Sequence, residues 1–145
     1  MITARDLLGS KRPGVWTIAP DATVYEALEL MAEKNIGALL VTENGRLIGI
    51  FSERDYARKG ILKGRASKET RVAELMSSPV VCVRLDQSAE QCLAIMTQRQ
   101  IRHLPVMAGD ELVGVVSIGD VGKAIISVQK TALEDLETYI TGAPR

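Results

Sequence analysis

Hydrophobic and polar positions along the chain follow one pattern that occurs twice. A shift of 65 residues places residues 15–58 on residues 80–123 without a gap, and eleven of the aligned pairs are identical. Most of the identical pairs are apolar residues, as a shared core would require. The others include Ser52 with Ser117 and Asp55 with Asp120. Self-similarity over this length predicts a duplicated structural unit.

Each copy predicts the element order strand, helix, strand, strand, helix. The first helix begins at a capping box, a hydroxyl residue followed three positions later by Glu or Gln, in TVYE from Thr23 and in SAEQ from Ser88. The next two strands are ALLVT and RLIGIFS in the first copy, and LPVM and ELVGVVS in the second. Asn44-Gly45 and Gly109-Asp110 predict the hairpin turns between these strands.

Further helices are predicted after and before each copy. The second helix of each copy begins at about Asp55 and Asp120, where the apolar strand pattern stops. A short helical pattern leads into each copy, ARDLL at residues 4–8 and VAELM at residues 72–76, and a polar connector, KGRASKETR, lies between the copies.

These elements predict an α/β (α+β) fold of two β-α-β-β-α repeats packed with pseudo-twofold symmetry, because one repeat of roughly 60 residues has only a marginal core. We assign the first repeat with its lead-in to residues 1–65, the second with its lead-in to residues 66–127, and a helical tail to residues 128–145. Three apolar residues of the tail share one helical stripe: Leu133, Leu136 and Ile140. The stripe either packs on its own unit or contacts a second copy of the chain.

Charge and composition narrow the class of protein. Eighteen basic and eighteen acidic residues leave no net charge to attract nucleic acid or an anionic membrane. We find no apolar run of about 20 residues that would span a bilayer, and no signal peptide. Cys82 and Cys92 lie in apolar patterns without metal-binding spacing, which favours reduced thiols and a cytoplasmic protein. His103 is the one histidine, so a two-histidine metal site is excluded and no metal is predicted.

The two G-x-x-S-x-x-D endings, GIFSERD and GVVSIGD, together with IRHLPV at residues 101–106, resemble a tandem pair of CBS domains, often called a Bateman module. FSERDYARKG, GRASKET and VSIGDVGKAI are similar to segments of stand-alone CBS-pair proteins of bacteria and plant mitochondria. The resemblance covers nearly the whole chain, so no attached enzyme or transporter domain is expected. It implies a non-catalytic sensor that binds an adenine nucleotide in clefts between the two repeats and forms a homodimer.

The ligand that the resemblance implies is AMP first, then NAD(H), ATP or ADP, or S-adenosylmethionine. Binding would serve energy sensing and signal transduction through a dimer or a partner. The alternative is a protein-interaction module that regulates an enzyme in trans, for example a thioredoxin-type redox protein, without an obligate ligand. Catalysis by Ser117, His103 and Asp120 is not expected, because nothing resembles a nucleophile elbow or an oxyanion loop.

The repeated S-x-x-D motif has two interpretations. A Ser followed three residues later by Asp, at a strand-to-helix junction, can be a capping box and nothing more. The same carboxylate can accept two hydrogen bonds from the vicinal hydroxyls of a ribose, while helix-start N–H groups favour a nearby anion. The resemblance favours ribose binding, because this Asp is the usual ribose ligand of the family. Both roles can hold at once.

The resemblance also predicts which cleft binds the ligand. In CBS pairs the ribose Asp of one repeat faces the adenine-contacting segment of the other. The first repeat has Gly37-Ala38 where the second has the larger Arg102-His103, so the cleft that uses Asp120 leaves more room for a base. Its predicted contacts are Ser117 and Asp120 for ribose, and Val15, Trp16, Gly37, Ala38 and Leu39 for adenine. Trp16 either stacks on the base or packs at the strand entry. Ser52 and Asp55 form a weaker second cleft.

Basic residues supply the predicted phosphate contacts. Arg54 and Arg102 match positions where the family often places a basic phosphate ligand, and His103 lies beside the latter. Guanidinium groups suit phosphate because they donate in a fork. Arg58, one helical turn beyond Arg54, either joins these contacts or pairs with Asp55 or Glu53 on a solvated helix face.

Overall fold

A computed structural model describes residues 1–10 and 14–141 of the chain. Its α-helices are α1 (Ala4–Gly9), α2 (Val24–Lys34), α3 (Glu53–Asp55), α4 (Val72–Leu75), α5 (Ala89–Arg99) and α6 (Ile118–Thr141). Its strands are β1 (Thr17–Ile18), β2 (Ala38–Glu43), β3 (Arg46–Ser52), β4 (Val83–Arg84), β5 (His103–Ala108) and β6 (Glu111–Ser117). The chain divides into two compact units: residues 14–81, the continuous unit, and residues 1–13 with 82–145, the split unit.

The continuous unit contains a three-stranded sheet in the order β1-β2-β3. Strands β1 and β2 are parallel, and β2 pairs antiparallel with β3 so that Ala38 lies opposite Ser52. The connecting turn has positive φ at both central residues, 52° at Asn44 and 76° at Gly45, as a type I′ hairpin turn requires. The core of this unit packs α2 on the sheet together with α4: Val24, Ala27, Met31, Leu39, Val41, Phe51, Val72 and Leu75.

The split unit repeats this arrangement with β4-β5-β6. Strand β4 is parallel to β5, and β5 pairs antiparallel with β6 so that His103 lies opposite Ser117. Both sheets shift register at the corresponding place, between Val41 and Thr42 and between Val106 and Met107. The predicted mixed fold of two β-α-β-β-α repeats is therefore confirmed.

Each lead-in helix packs with the repeat that it does not precede in sequence. Helix α1 belongs to the split unit, where the Ala4 N–H donates to the Gln87 carbonyl at 2.8 Å and the Ala89 N–H to the Ile2 carbonyl at 2.8 Å. Helix α4 belongs to the continuous unit, where the Val72 N–H donates to the Ala22 carbonyl at 2.9 Å. The boundaries predicted at 65/66 and 127/128 divide the sequence into repeats. The compact units are bounded elsewhere, at 13/14 and 81/82.

Two glycines on the sheets permit this packing. A Cβ on Gly114 of β6 would lie 2.5 Å from Cδ2 of Leu8, a residue of α1. A Cβ on Gly49 of β3 would lie 2.5 Å from Sδ of Met76, next to α4. Such distances are closer than real side chains approach, so a side chain at either glycine would require Leu8 or Met76 to move.

The helix that closes each repeat differs between the two copies. In the first, α3 has three residues and continues as a π-helical turn over Tyr56–Gly60 and a 3-10 turn over Ile61–Lys63, which ends at Gly64 with φ of 71°. In the second, α6 runs for 24 residues, so the tail predicted from residue 128 continues this helix to Thr141. Residues 142–145 of that predicted tail lie outside the described residues. No helix in the described part of the chain is long and apolar enough to cross a membrane.

Candidate functional site

The first S-x-x-D motif lies where β3 passes into α3. Asp55 Oδ2 accepts hydrogen bonds from the Ser52 N–H at 2.9 Å and from the Ser52 hydroxyl at 3.0 Å. In return, the Asp55 N–H donates to Ser52 Oγ at 3.1 Å. These reciprocal bonds are a capping box, so the capping interpretation is confirmed for this motif.

The second oxygen of Asp55 is also bound by groups of the protein. Oδ1 accepts from the Ser77 hydroxyl at 3.0 Å and pairs with Lys59 Nζ at 3.1 Å. Lys59 is held in turn by the Leu75 carbonyl at 3.3 Å, and the Asp55 side chain is only 12% exposed. A ribose at Asp55 would have to replace the bond from Ser77 or the pair with Lys59.

The second S-x-x-D motif has the same capping box at the start of α6. The Ser117 N–H donates to Asp120 Oδ2 at 2.7 Å, and the Asp120 N–H donates to Ser117 Oγ at 3.1 Å. Both residues are half-buried. Asp120 therefore caps its helix as Asp55 does, and the positive end of the dipole of a 24-residue helix lies beside it.

The surroundings of the two carboxylates differ in sequence. The residue that corresponds to Lys59 after the 65-residue shift is Ala124. Aligning VAELMS with ARDLLG, whose first and fourth residues are buried in both cases, places Gly9 at the position of Ser77. Neither Ala124 nor Gly9 has a side chain that donates a hydrogen bond, so the Lys59–Ser77 clamp on Asp55 has no counterpart at these positions.

The residues before β2 and β5 lie against the helix starts within their own units. The Gly37 carbonyl accepts from the Glu53 N–H at 3.1 Å, and the Arg102 carbonyl accepts from the Ile118 N–H at 2.8 Å. The split unit thereby brings Arg102 and His103 next to the capping box of Ser117. The continuous unit brings Gly37 and Ala38 next to that of Ser52. The predicted pairing of Asp120 with Gly37 and Ala38 concerns residues of both units and stays a prediction.

The predicted adenine contacts at the start of β1 form a partly exposed edge. The Trp16 carbonyl accepts from the Leu40 N–H at 3.2 Å, while its ring is 41% exposed and lies 4.4 Å from Lys34 Nζ, a cation–π contact. Val15 is half-buried. Leu39 is 1% exposed and its side chain packs in the core, so only its backbone could contact a ligand.

The predicted phosphate ligands differ in exposure. Arg54 is half-buried, whereas Arg58 lies on the π-helical turn and is exposed. The carboxylate of Asp55 pairs with Lys59, four residues along, and not with Arg58. Sequence reasoning missed Lys59, although the i,i+4 spacing from Asp55 was a signal that could have found it. Lys34 was missed as well, because its contact with Trp16 joins residues 18 positions apart, which no local sequence pattern indicates.

Comparison with known proteins bears on this site. The family model for the CBS domain matches residues 4–60 and again residues 72–127. The chain belongs to the CBS-domain family. It is 38% identical to the mitochondrial CBS domain-containing protein CBSX3 of Arabidopsis thaliana over 140 residues, which cover 92% of this chain and 68% of that protein. It is 40% identical to the CBS domain-containing protein YhcV of Bacillus subtilis over 106 residues, which cover 73% of this chain and 75% of that one.

A solved structure shows the same fold. The putative signal-transduction protein with CBS domains from Burkholderia ambifaria aligns with a TM-score of 0.84 and 45% identity, over 86% of this chain and 94% of that one. The predicted resemblance to a tandem CBS pair is therefore confirmed, and the relatives are CBS-domain proteins of regulatory or signal-transduction type.

The described residues also bear on metal binding and on thiol reactivity. Among residues 1–10 and 14–141, no group of three or more His, Cys, Asp or Glu side chains is placed to hold a metal ion. Cys82 is exposed and Cys92 is buried, and desolvation raises the pKa of both thiols. Both cysteines are therefore thiols at neutral pH rather than activated nucleophiles.

Proposed function

We propose that this CBS pair is a non-catalytic sensor of adenine nucleotides, in which Ser117 and Asp120 bind the ribose. The observation that carries the proposal is the difference between the two S-x-x-D junctions. At Asp55 both carboxylate oxygens accept hydrogen bonds or an ion pair inside the continuous unit. At Asp120 the positions of the clamping residues are occupied by Ala124 and Gly9. This difference weakens the second predicted cleft, and Asp120 stays the proposed ribose ligand.

The charges around Asp120 suit a phosphorylated ligand. Arg102 is exposed and precedes β5, and the half-buried His103 is the first residue of β5 and lies opposite Ser117. A phosphate near the start of α6 would gain from the Arg102 guanidinium and from the helix dipole. Arg54 and Arg58 stay proposed phosphate contacts. The proposed adenine contacts remain those of the sequence prediction: Val15, Trp16, Gly37, Ala38 and Leu39.

AMP is the first candidate ligand, followed by NAD(H), ATP or ADP, and S-adenosylmethionine. The CBS domain pair of protein MJ0100, which shares the fold at 23% identity and a TM-score of 0.76, was solved in complex with 5′-methylthioadenosine and S-adenosyl-L-methionine. Both of those ligands contain adenosine, so the fold is compatible with the class of ligand proposed. Differential affinity for two arrangements of the protein would let the ligand shift a dimer or partner equilibrium in the cytoplasm.

The test is isothermal titration calorimetry of the full chain with AMP, ADP, ATP, NAD(H) and S-adenosylmethionine. We expect saturable binding of at least one of them by the wild-type protein. The variant Asp120→Ala should lose that binding while its circular dichroism spectrum stays folded. Asp55→Ala is the matched control, since it removes the other capping carboxylate, and it should retain most of the affinity.

Two results would overturn the proposal. One is the absence of binding to all five ligands at millimolar concentration. The other is an Asp120→Ala variant that is less stable but binds with unchanged affinity, because the carboxylate would then only cap α6. Turnover of any nucleotide by the wild-type protein would contradict the non-catalytic assignment.

A further inference from the structure

The second half of α6 presents a row of large apolar side chains to solvent. Ile126 is 64% exposed, Leu133 57%, Leu136 53% and Ile140 72%. Earlier in the helix, Val121 is fully buried, so the first turns of α6 pack in the core of the split unit. The alternative that the stripe packs on its own unit is therefore wrong for Leu133, Leu136 and Ile140.

Val128 (53% exposed) and Tyr139 (87% exposed) lie outside this row, and the four residues named above follow a heptad pattern. Their spacing of seven, three and four residues places Ile126, Leu133 and Ile140 at a positions and Leu136 at a d position, with Gln129 at the intervening d position. This row, which we call the α6 stripe, runs from Ile126 to Ile140, or about 21 Å of helix. A row with 3.5-residue periodicity fits another helix laid along it.

The charges beside the α6 stripe reverse sign along the helix. Lys123 and Lys130 lie in the first part of the exposed segment, and Glu134, Asp135 and Glu137 follow. Lys130 and Glu137 occupy successive e positions, which flank the apolar seam. A second copy of this helix in the same direction would place like charges side by side. A second copy in the opposite direction places the basic part of each helix beside the acidic part of the other.

We propose that the α6 stripe is a self-association surface, on which α6 of a second copy of this chain packs antiparallel, with Lys130 of each copy beside Glu137 of the other. This inference rests on the homodimer implied by the proposed function and names the element that forms it. Self-complementarity in both hydrophobic pattern and charge is what a twofold interface requires. Two heptads are fewer than the three or four of an independent coiled coil, so we expect a dissociation constant on the order of micromolar.

The experiment is sedimentation velocity of the full chain without nucleotide, at concentrations from about 1 to 200 µM. The wild-type protein should change from monomer to dimer in this range. Leu136→Glu puts a charge into the seam and should raise the dissociation constant at least about 30-fold. Thr131→Glu adds the same charge at an f position, on the opposite face of α6, and is the matched control; it should change the constant less than about threefold.

A charge swap tests the antiparallel direction. Lys130→Glu and Glu137→Lys, each alone, place like charges across the seam twice and should weaken self-association about tenfold. Mixed in equal amounts, the two variants restore opposite charges at both places and should associate more tightly than either does alone. A mixture no tighter than its components overturns the antiparallel pairing.

The remaining outcomes separate this inference from the proposed function. A dimer that Leu136→Glu leaves intact overturns the role of the α6 stripe while the proposed homodimer stands on another surface. A wild-type protein that stays monomeric at 200 µM overturns self-association altogether, and a different occupant of the stripe would follow. Nucleotide binding is judged separately by calorimetry, because Asp120 lies outside the exposed half of α6.

Discussion

The contacts of Asp55 with Ser77 and Lys59 lead to a prediction about the free energy of unfolding of the protein. The change is Asp55→Ala, which removes a carboxylate that accepts from the Ser52 N–H, the Ser52 hydroxyl, the Ser77 hydroxyl and Lys59. Ser77 lies beside β3 because its N–H donates to the Ile50 carbonyl at 2.8 Å and its carbonyl accepts from the Ile50 N–H at 3.1 Å. These bonds join the start of α3 to the segment after α4 within the continuous unit.

The expected loss of stability follows from these contacts. Loss of the capping interaction costs about 1 kcal/mol. Loss of the half-buried hydrogen bond from Ser77 costs about 1 kcal/mol more. The pair with Lys59 adds only about 0.5 kcal/mol, because the lysine side chain is 46% exposed and solvent screens it. Asp55→Ala should therefore lower the free energy of unfolding by about 2.5 kcal/mol.

Urea denaturation measures the free energy of unfolding of the wild-type protein and of the Asp55→Ala variant. Trp16 is the one tryptophan of the chain and lies in the continuous unit, so its fluorescence reports the unit that contains Asp55. Far-UV circular dichroism reports both units. A double-mutant cycle of Asp55→Ala with Ser77→Ala should give a coupling of about 1 kcal/mol. If Asp55→Ala costs no more than the roughly 1 kcal/mol of a lost cap, or if the coupling is zero, the clamp does not stabilise the protein and the reasoning is refuted.

Two further predictions concern packing and thiol reactivity. Gly114→Ala should lower the free energy of unfolding by about 1–3 kcal/mol, because the new methyl would lie 2.5 Å from Leu8 Cδ2; an unchanged thermal midpoint would contradict the packing of α1 on β6. Iodoacetamide at neutral pH should modify exposed Cys82 before buried Cys92, and both more slowly than free cysteine, because desolvation raises the pKa of each thiol. Mass analysis of the peptides checks the order, and rapid modification of Cys92 in the native protein would be the contrary result.

Local signals in the sequence predicted most of the elements. Strands β3 and β6 have the bounds of the predicted RLIGIFS and ELVGVVS segments, since each lies between a hairpin turn and a helix cap. The capping boxes at Thr23 and Ser88 are both present. Such features depend on residues within a few positions of each other, so a short window contains all the information that they require.

Interactions between distant segments were beyond the sequence pattern. The packing of α1 with the second repeat depends on Leu8 meeting Gly114, more than a hundred positions later. The first repeat was expected to end in a helix from Asp55, yet α3 begins at Glu53 and passes into a π-helical turn that contains Lys59. The contact between Asp55 and Ser77 joins residues 22 positions apart, for which no periodicity gives a signal.

The identity of the Ser and Asp pairs in the two repeats has a structural explanation that needs no ligand. Both motifs form the same reciprocal bonds at the start of a helix, so capping alone would keep both residues. Shared residues therefore do not indicate two ligand sites. The informative positions are the ones that differ: Lys59 and Ser77 hold the carboxylate of Asp55, and the corresponding residues in the split unit are Ala124 and Gly9. If a duplicated fold keeps one copy of a motif for stability and the other for binding, the difference has to be found in such neighbours and not in the motif itself.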